Sequence, residues 1–384
     1  MFLTIFWKFL LLGCTSFGGP AAHIGYFRKE FVERLGWATE AEYAQWVALS
    51  QIMPGPGSSQ VGFALGYHRG GISGALAAFM GFTLPSVILM CVFAALGSQF
   101  AEHDVFLGIL SALKLMAVVV VADAIWGMGN SFCQSKRTRL IAILSMLFIL
   151  LWPLGLGSLL LVLLAGVGGA LWLKDSQTKA FKSRMSSLVA FSALGLFALL
   201  FIVTAFIEGS GWLALSAQLF QVGSLVFGGG HVVLPLMSEL LADLVSTSNL
   251  LTGYAAAQAV PGPMFTLATY VGAVSAPAGQ MIVWALLATL AIFLPGLLLM
   301  LVGQHFWQGL SHYPRVQGAV VAINAAVVGL LVATLLIPIL PSSVTGIWQA
   351  LVVILAFTWL RWKKPAIWQL VSVFVLGGVV TALF

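Results

Sequence analysis

Charge is what this chain has least of. Only 7% of its 384 residues are Asp, Glu, Lys or Arg, against about a quarter in a soluble domain. With 61% hydrophobic residues and a mean hydropathy of +1.07, the composition excludes an ordinary water-soluble fold and predicts an integral membrane protein. The period-two alternation of an outer-membrane barrel is missing, so the long apolar runs are read as helices. Cysteine is scarce too. Cys14, Cys91 and Cys133 are odd in number and lack metal-ligand spacing, which argues against a disulfide framework or a metal site and leaves small apolar fillers. No HExxH, GxSxG or GxxxxGK[ST] occurs; an enzyme, ATP-driven pumping and a bound cofactor are therefore not expected. Leu11-Leu12-Gly13-Cys14 looks like a lipoprotein box, but no basic residue precedes the apolar run, so a cleaved leader is not expected.

The net charge of +6 is placed for a lipid bilayer rather than a nucleic acid. Cations gather in short loops, at Lys136, Arg137 and Arg139, at Lys174, Lys179, Lys182 and Arg184, and at Arg361, Lys363 and Lys364. Such clusters mark cytoplasmic loops. Between them run apolar spans near 72–97, 105–129, 140–155, 157–173, 187–207, 279–303, 316–340, 346–360 and 366–384, each near the roughly 20 residues needed to cross.

Two stretches repeat each other. Phe17-Gly18-Gly19-Pro20 matches Phe227-Gly228-Gly229-Gly230, Pro54-Gly55-Pro56 matches Pro261-Gly262-Pro263, and Leu84-Pro85 matches Leu294-Pro295. Lys114 falls opposite Asn324. Counting spans from the cationic loops gives the two copies opposite orientations. The expected architecture is an all-α polytopic protein of two inverted repeats: 1–139, linker helices over 140–210, a second repeat over 211–345 and C-terminal helices over 346–384. Each Gly/Pro motif is either the tip of a re-entrant or broken helix near the midplane, or lies near the interface between two complete crossings. The second option puts Arg28, Lys29 and Arg34 outside, which the charge rule disfavours.

A helix restarting after such a break offers free N–H groups and a positive dipole end, an anion site that needs no cationic side chain. The candidate substrate-binding residues are Gly18, Gly19, Gly55, Gly57, Ser58, Ser59, Gly228, Gly229, Gly230, Gly262 and Thr266, with Lys114 and Asn324 on the spans that follow. An intramembrane lysine is costly enough to be a functional candidate; the alternative is a structural pair with Asp123. Candidates for coupling or gating are His23, His231, Asp123 and Gln60. Gly62, Gly66, Gly70 and Gly74 recur every four residues and predict one smooth helix face for close packing.

Phe17-Gly18-Gly19-Pro20-Ala21, Gly36-Trp37, Met53-Pro54-Gly55-Pro56 with Gln60 and Gly66, and Gly81-Phe82-Thr83-Leu84-Pro85 resemble the chromate ion transporter family. The second half resembles it through Phe227 to His231, Val260 to Pro263, Gly272 and Ile323 to Gly329. The resemblance is to the long, two-domain form. It implies a bacterial inner-membrane protein exporting chromate with the proton-motive force, with sulfate as a competing ligand; a homodimer is a further expectation. The alternatives are a sulfate or oxyanion uptake permease and an uncoupled anion channel. Some family members carry an acid directly after the first Pro-Gly-Pro, where this chain has Gly57, and Gly230 stands where the first repeat has Pro20.

Overall fold

A computed structural model describes residues 1–16, 19–100, 103–151, 157–173, 186–227, 232–310, 313–365 and 367–383. Among them the regular structure is all helical. The first half holds α1 (Phe2–Thr15), α2 (Gly19–Phe27) with a π-helical turn over Arg28–Arg34, α3 (Glu40–Ile52), α4 (Gly57–Gln99), α5 (Asp104–Phe132), α6 (Lys136–Leu151) and α7 (Gly157–Trp172). Then come α8 (Ser187–Thr204), α9 (Trp212–Leu225), α10 (Val233–Leu240), α11 (Thr247–Ala259), a 3₁₀ turn over Met264–Thr266 and α12 (Leu267–Ser275). The chain ends with α13 (Met281–Leu310), α14 (Pro314–Thr334), α15 (Leu340–Ser343), α16 (Ile347–Lys363) and α17 (Ile367–Leu383). Five segments are long and apolar enough to cross a bilayer, and the molecule is a multi-pass membrane protein. The predicted spans land on the second part of α4 and on α5 to α8, α13, α14, α16 and α17.

The short helices around the breaks are hairpins. Phe9 of α1 stacks on Phe31 at 4.5 Å and meets Phe27 edge-on at 5.4 Å, so α2 doubles back along α1. Trp46 of α3 lies 5.2 Å from the His68 ring, and Arg69 sits 5.6 Å above Trp37. A straight helix would hold Trp46 and His68 about 33 Å apart at 1.5 Å per residue. α3 and the start of α4 therefore run antiparallel, with Pro54-Gly55-Pro56 at the tip. In the second half, Leu267 and Tyr270 of α12 fill the space beside Gly253 of α11, where a Cβ would come within 2.7 Å of Leu267 Cδ1. The mouth of the first-half hairpins is fixed by a Thr39–Glu42 capping box at the start of α3 and a forked Arg28–Glu40 ion pair. That pair holds the Glu40 carboxyl below its ordinary range.

The glycine spacing of four has a different origin from the one expected. Gly70 and Gly71 leave helical backbone, Gly71 at φ +62°. α4 is thus two arms, 57–69 and 72–99, joined by a reversal. Gly66 and Gly74 face each other across it, and a Cβ on either would collide with the other's carbonyl. Gly66 and Gly74 serve two arms packed backbone to backbone rather than one helix face, while Gly62 faces Phe9 and Phe27 and Gly70 faces Ile5.

The second arm of α4 and α13 are the two long central helices. Pro85 and Ser86 sit at the middle of the first, Pro295 and Gly296 at the middle of the second. The outer helices cross over: α16 and α17 pack on α5, while α6 and α7 pack on α14. Gly108 of α5 lies against the Gly378 carbonyl of α17, and Gly169 of α7 against that of Gly318 in α14. Arg361 of α16 pairs with Asp123 of α5 at 3.1 Å and lies over Trp126.

Candidate functional site

Each hairpin tip frees backbone groups that must find partners inside an apolar layer. α1 stops at Thr15, leaving Ser16 extended (φ −87°, ψ 97°); α9 stops at Leu225, leaving Val226 extended (φ −75°, ψ 106°). Met53 and Val260 do the same at the ends of α3 and α11. The freed groups pair across the two halves. The Gly262 N–H donates to the Ser16 carbonyl at 2.9 Å, and the Gly55 N–H donates to the Val226 carbonyl at 2.7 Å. By the repeat alignment Ser16 corresponds to Val226 and Gly262 to Gly55, so one bond is made twice.

Both contacts reach the middles of the long helices. Gln60 Nε2 donates to the Pro54 and Gly296 carbonyls, each at 2.9 Å. Ser86 Oγ donates to the Pro261 carbonyl at 2.7 Å. Gly55 and Gly262 hold φ of +119° and +102°, backbone that side chains disfavour. A Cβ on Gly55 would stand 2.7 Å from Gly296 Cα, and one on Gly262 would collide with Ser86 Oγ.

The polar side chains at this junction come mainly from the first half. The first arm of α4 starts at Gly57 without a side-chain cap, and Ser58, Ser59 and Gln60 follow, all buried. His23 is fully buried on α2, with Nδ1 3.2 Å from Ser58 Oγ and Nε2 3.2 Å from the Ser16 carbonyl. Among the described residues, four buried oxygens at or beside the breaks lack a hydrogen-bond partner: Ser16 Oγ, Ser59 Oγ, Gln60 Oε1 and Thr83 Oγ1. In the second half, by contrast, Thr266 donates to the Pro263 carbonyl at 2.8 Å and Ser224 to the Phe220 carbonyl at 2.7 Å. Gly19, at φ +74°, opens α2 beside Met264 Sδ. A cleft lined by Lys8, Leu12, Thr15, Lys29, Glu30 and Arg34 runs beside the first hairpin to the residue before Ser16.

The structure thus brings Gly19, Gly55, Gly57, Ser58, Ser59, Gln60, His23, Gly262 and Thr266 to the crossed tips. Gly18, Gly228, Gly229, Gly230 and His231 lie outside the described residues. Two candidates, Lys114 and Asp123, are elsewhere. Lys114 Nζ donates to Ser248 Oγ at 2.8 Å, at the opposite end of α11 from its tip, and the 13 residues of that helix span about 20 Å. Asp123 pairs with Arg361 rather than Lys114. Asn324 is buried on α14, its Oδ1 unpartnered. Sequence reasoning did not single out Ser86 and Gly296. Both directly follow a Leu-Pro landmark, the one signal that marked them. Among the described residues no group of three or more His, Cys, Asp or Glu side chains is placed to hold a metal ion.

A family model described as chromate transporter matches residues 3–170 and 213–382. The first matched part takes in α6 and nearly all of α7, and α8 lies between the two matched parts. The chain is 29% identical to an uncharacterized transporter of Methanocaldococcus jannaschii over 86% of its length and 83% of that protein's. It is 28% identical to a probable chromate transport protein of Synechococcus elongatus, covering 84% and 82% of the two chains. It is 26% identical to a chromate transport protein of Pseudomonas aeruginosa, covering 86% and 79%. No solved structure matches. The match of both copies across the two halves shows that the chain belongs to the chromate transporter family.

Proposed function

We propose that the protein is a secondary transporter exporting chromate across the bacterial inner membrane, and that the crossed tips are its anion site. The observation that carries this reading is the pair of equivalent bonds, Gly262 to Ser16 and Gly55 to Val226. They support a convergence of interrupted helices at the centre of the two long helices. Such a junction binds a tetrahedral dianion through the N–H groups of the uncapped first turn of α4 and buried hydroxyls without a fixed counter-charge, the Gly55 and Gly262 amides being spent on the bonds between the halves. That suits a substrate that must also leave.

The sidedness follows from parity. Two re-entrant hairpins contribute no crossing; the second arm of α4, α5, α6 and α7 contribute four. α8 adds one more, so the second copy starts from the opposite face. The charges agree. On this path Arg28, Lys29, Arg34, Arg69, Lys136, Arg137, Arg139, Arg315, Arg361 and Lys363 fall on one face, the cytoplasmic one by the positive-inside rule. Asp104, Glu208, Glu239 and Asp243 fall on the other. The basic cleft beside Thr15 then opens to the cytoplasm and gathers anions there. An inside-negative potential pushes a dianion outward by about 4.6 kcal/mol per 100 mV, so export draws on the electrical part of the proton-motive force. Alternating access arises as one copy rocks against the other and makes or breaks the Gln60–Gly296 and Ser86–Pro261 contacts in turn.

Radiolabelled chromate flux into proteoliposomes, with imposed potential and pH gradient of either sign and sulfate as competitor, tests this. Flux that follows the potential and is inhibited by sulfate is expected. Absence of chromate flux under every gradient refutes it.

A further inference from the structure

We propose that oxyanion binding at the crossed tips is coupled to uptake of one proton by His23, with Ser58 transmitting the change. The proposal rests on the tips being the anion site. Both ring nitrogens of His23 are engaged: Nε2 meets the Ser16 carbonyl and Nδ1 meets Ser58 Oγ. A carbonyl only accepts, so the neutral ring carries its proton on Nε2, and Nδ1 accepts from the Ser58 hydroxyl. In that state the Ser58 proton is turned away from the anion site. A proton arriving from solvent on Nδ1 reverses the bond. Nδ1–H then donates to Ser58 Oγ, and the Ser58 O–H is released to donate to another acceptor. One proton thus supplies a positive charge and a free donor in the first turn of α4.

The surroundings make this conditional on the anion. The ring is faced by Ser16 at the end of α1 and by Ser58 and Phe82 of α4, the last edge-on at 5.1 Å. Met264 lies over the start of α2 at Gly19. From α3, the Tyr43 hydroxyl donates to the Ile24 carbonyl at 2.6 Å. Glu30, at the mouth of the same hairpin, is held by Lys8 and Arg34. No carboxylate faces His23 among the described residues, so a protonated ring is an uncompensated buried charge until a dianion arrives. The unpartnered Ser16 and Ser59 hydroxyls are a second, independent sign that the junction is built for a guest with acceptor oxygens. Proton and anion then favour each other equally, as linkage requires. The loaded junction carries one net negative charge instead of two, which lowers the cost of holding it in the apolar layer; an anion crossing with this proton feels half the electrical push of the bare dianion.

The test uses the purified full-length protein in lipid nanodiscs and sulfate, which stays doubly charged across the pH range used. Calorimetric titration in two buffers of different ionisation enthalpy counts protons taken up per anion. The wild type is expected to take up close to one proton on the alkaline side of the ring's titration, with sulfate affinity falling about tenfold per pH unit there. His23→Gln keeps a donor toward Ser16 and is expected to bind sulfate more weakly, with a flat pH profile and no proton uptake. Zero protons in the wild type overturns the proposal without any variant, and so does undiminished uptake in His23→Gln. Should His23→Gln fail to fold, His23→Asn with the wild-type proton count decides. Absence of sulfate and chromate binding at every pH is a different failure: it removes the anion site itself.

Discussion

At the scale of single residues, the junction depends on atoms that are not there. Gly55 and Gly262 combine backbone that favours glycine with a neighbour standing where a Cβ would go. Gly55→Ala and Gly262→Ala should each cost about 1–3 kcal/mol through strain and overpacking. Chromate flux should be lost, because the amide that bonds the opposite half moves. Gly25, in α2 with nothing within 4 Å of where a Cβ would stand, is the control; Gly25→Ala should leave melting temperature and flux near wild type. Lys114 acts differently. Its ammonium meets Ser248 at the start of α11, on the proposed external side and about 20 Å along that helix from the tip. Lys114→Met should therefore slow flux most at low ionic strength, with the deficit shrinking as salt screens the lysine in the wild type. A deficit independent of salt would return Lys114 to the binding site itself. The sequence marked Lys114 by the cost of a charge in an apolar span, which identifies an unusual residue but not the direction in which its long side chain reaches. Ser16 shows the converse: its carbonyl, invisible in residue identity, holds both Gly262 and His23.

At the scale of elements, the breaks were legible because Gly and Pro inside apolar sequence have few other uses, and their repetition gave the pairing. Whether each break turns the chain back was not legible. A motif with about ten apolar residues on either side fits a re-entrant hairpin or two halves of a crossing equally well by length. The decision lies in side-chain contacts distant in sequence, Phe9 with Phe31 and Trp46 with His68. The reversal at Gly70-Gly71 was hidden for a related reason, since a glycine every four residues is also the pattern of a straight packed helix. Replacing Trp46 and His68 with cysteine, in a background lacking Cys14, Cys91 and Cys133, should give an intramolecular cross-link with a short bifunctional thiol reagent. Each single replacement should give none. If α3 and the first arm of α4 formed one crossing, the pair would be about 33 Å apart and no short reagent would join them. A second test concerns the crossed outer helices. Gly318 lies against the carbonyls of Gly169 and Leu173, so Gly318→Val should pry α14 from α7. A melting temperature lowered in detergent, with α5 and α17 still protected from proteolysis, is the expected result.

At the scale of the whole molecule, the proposed inversion of the two copies rests on an odd number. The first copy, as matched over residues 3–170, makes an even number of crossings because its four tip helices turn back, and α8 alone changes the parity. The count from the sequence, with 140–210 as connector, leads to the same proposal. Orientation is a sum over crossings and tolerates errors that cancel in pairs: moving α6 and α7 together from connector to repeat changes nothing. The mouths of the two sets of hairpins must then face opposite compartments. Arg69 marks the first mouth, stacked on Trp37. Gly279 and its exposed neighbours, between α12 and α13, mark the second. In the same cysteine-free background, Arg69→Cys should react with a membrane-impermeant maleimide only in inside-out vesicles, and Ala278→Cys only in intact cells or right-side-out vesicles. Labelling of both from one side would mean that the copies are parallel. The Gly262–Ser16 and Gly55–Val226 bonds would then join tips entering from the same face, and a site alternating between compartments would lose its physical basis.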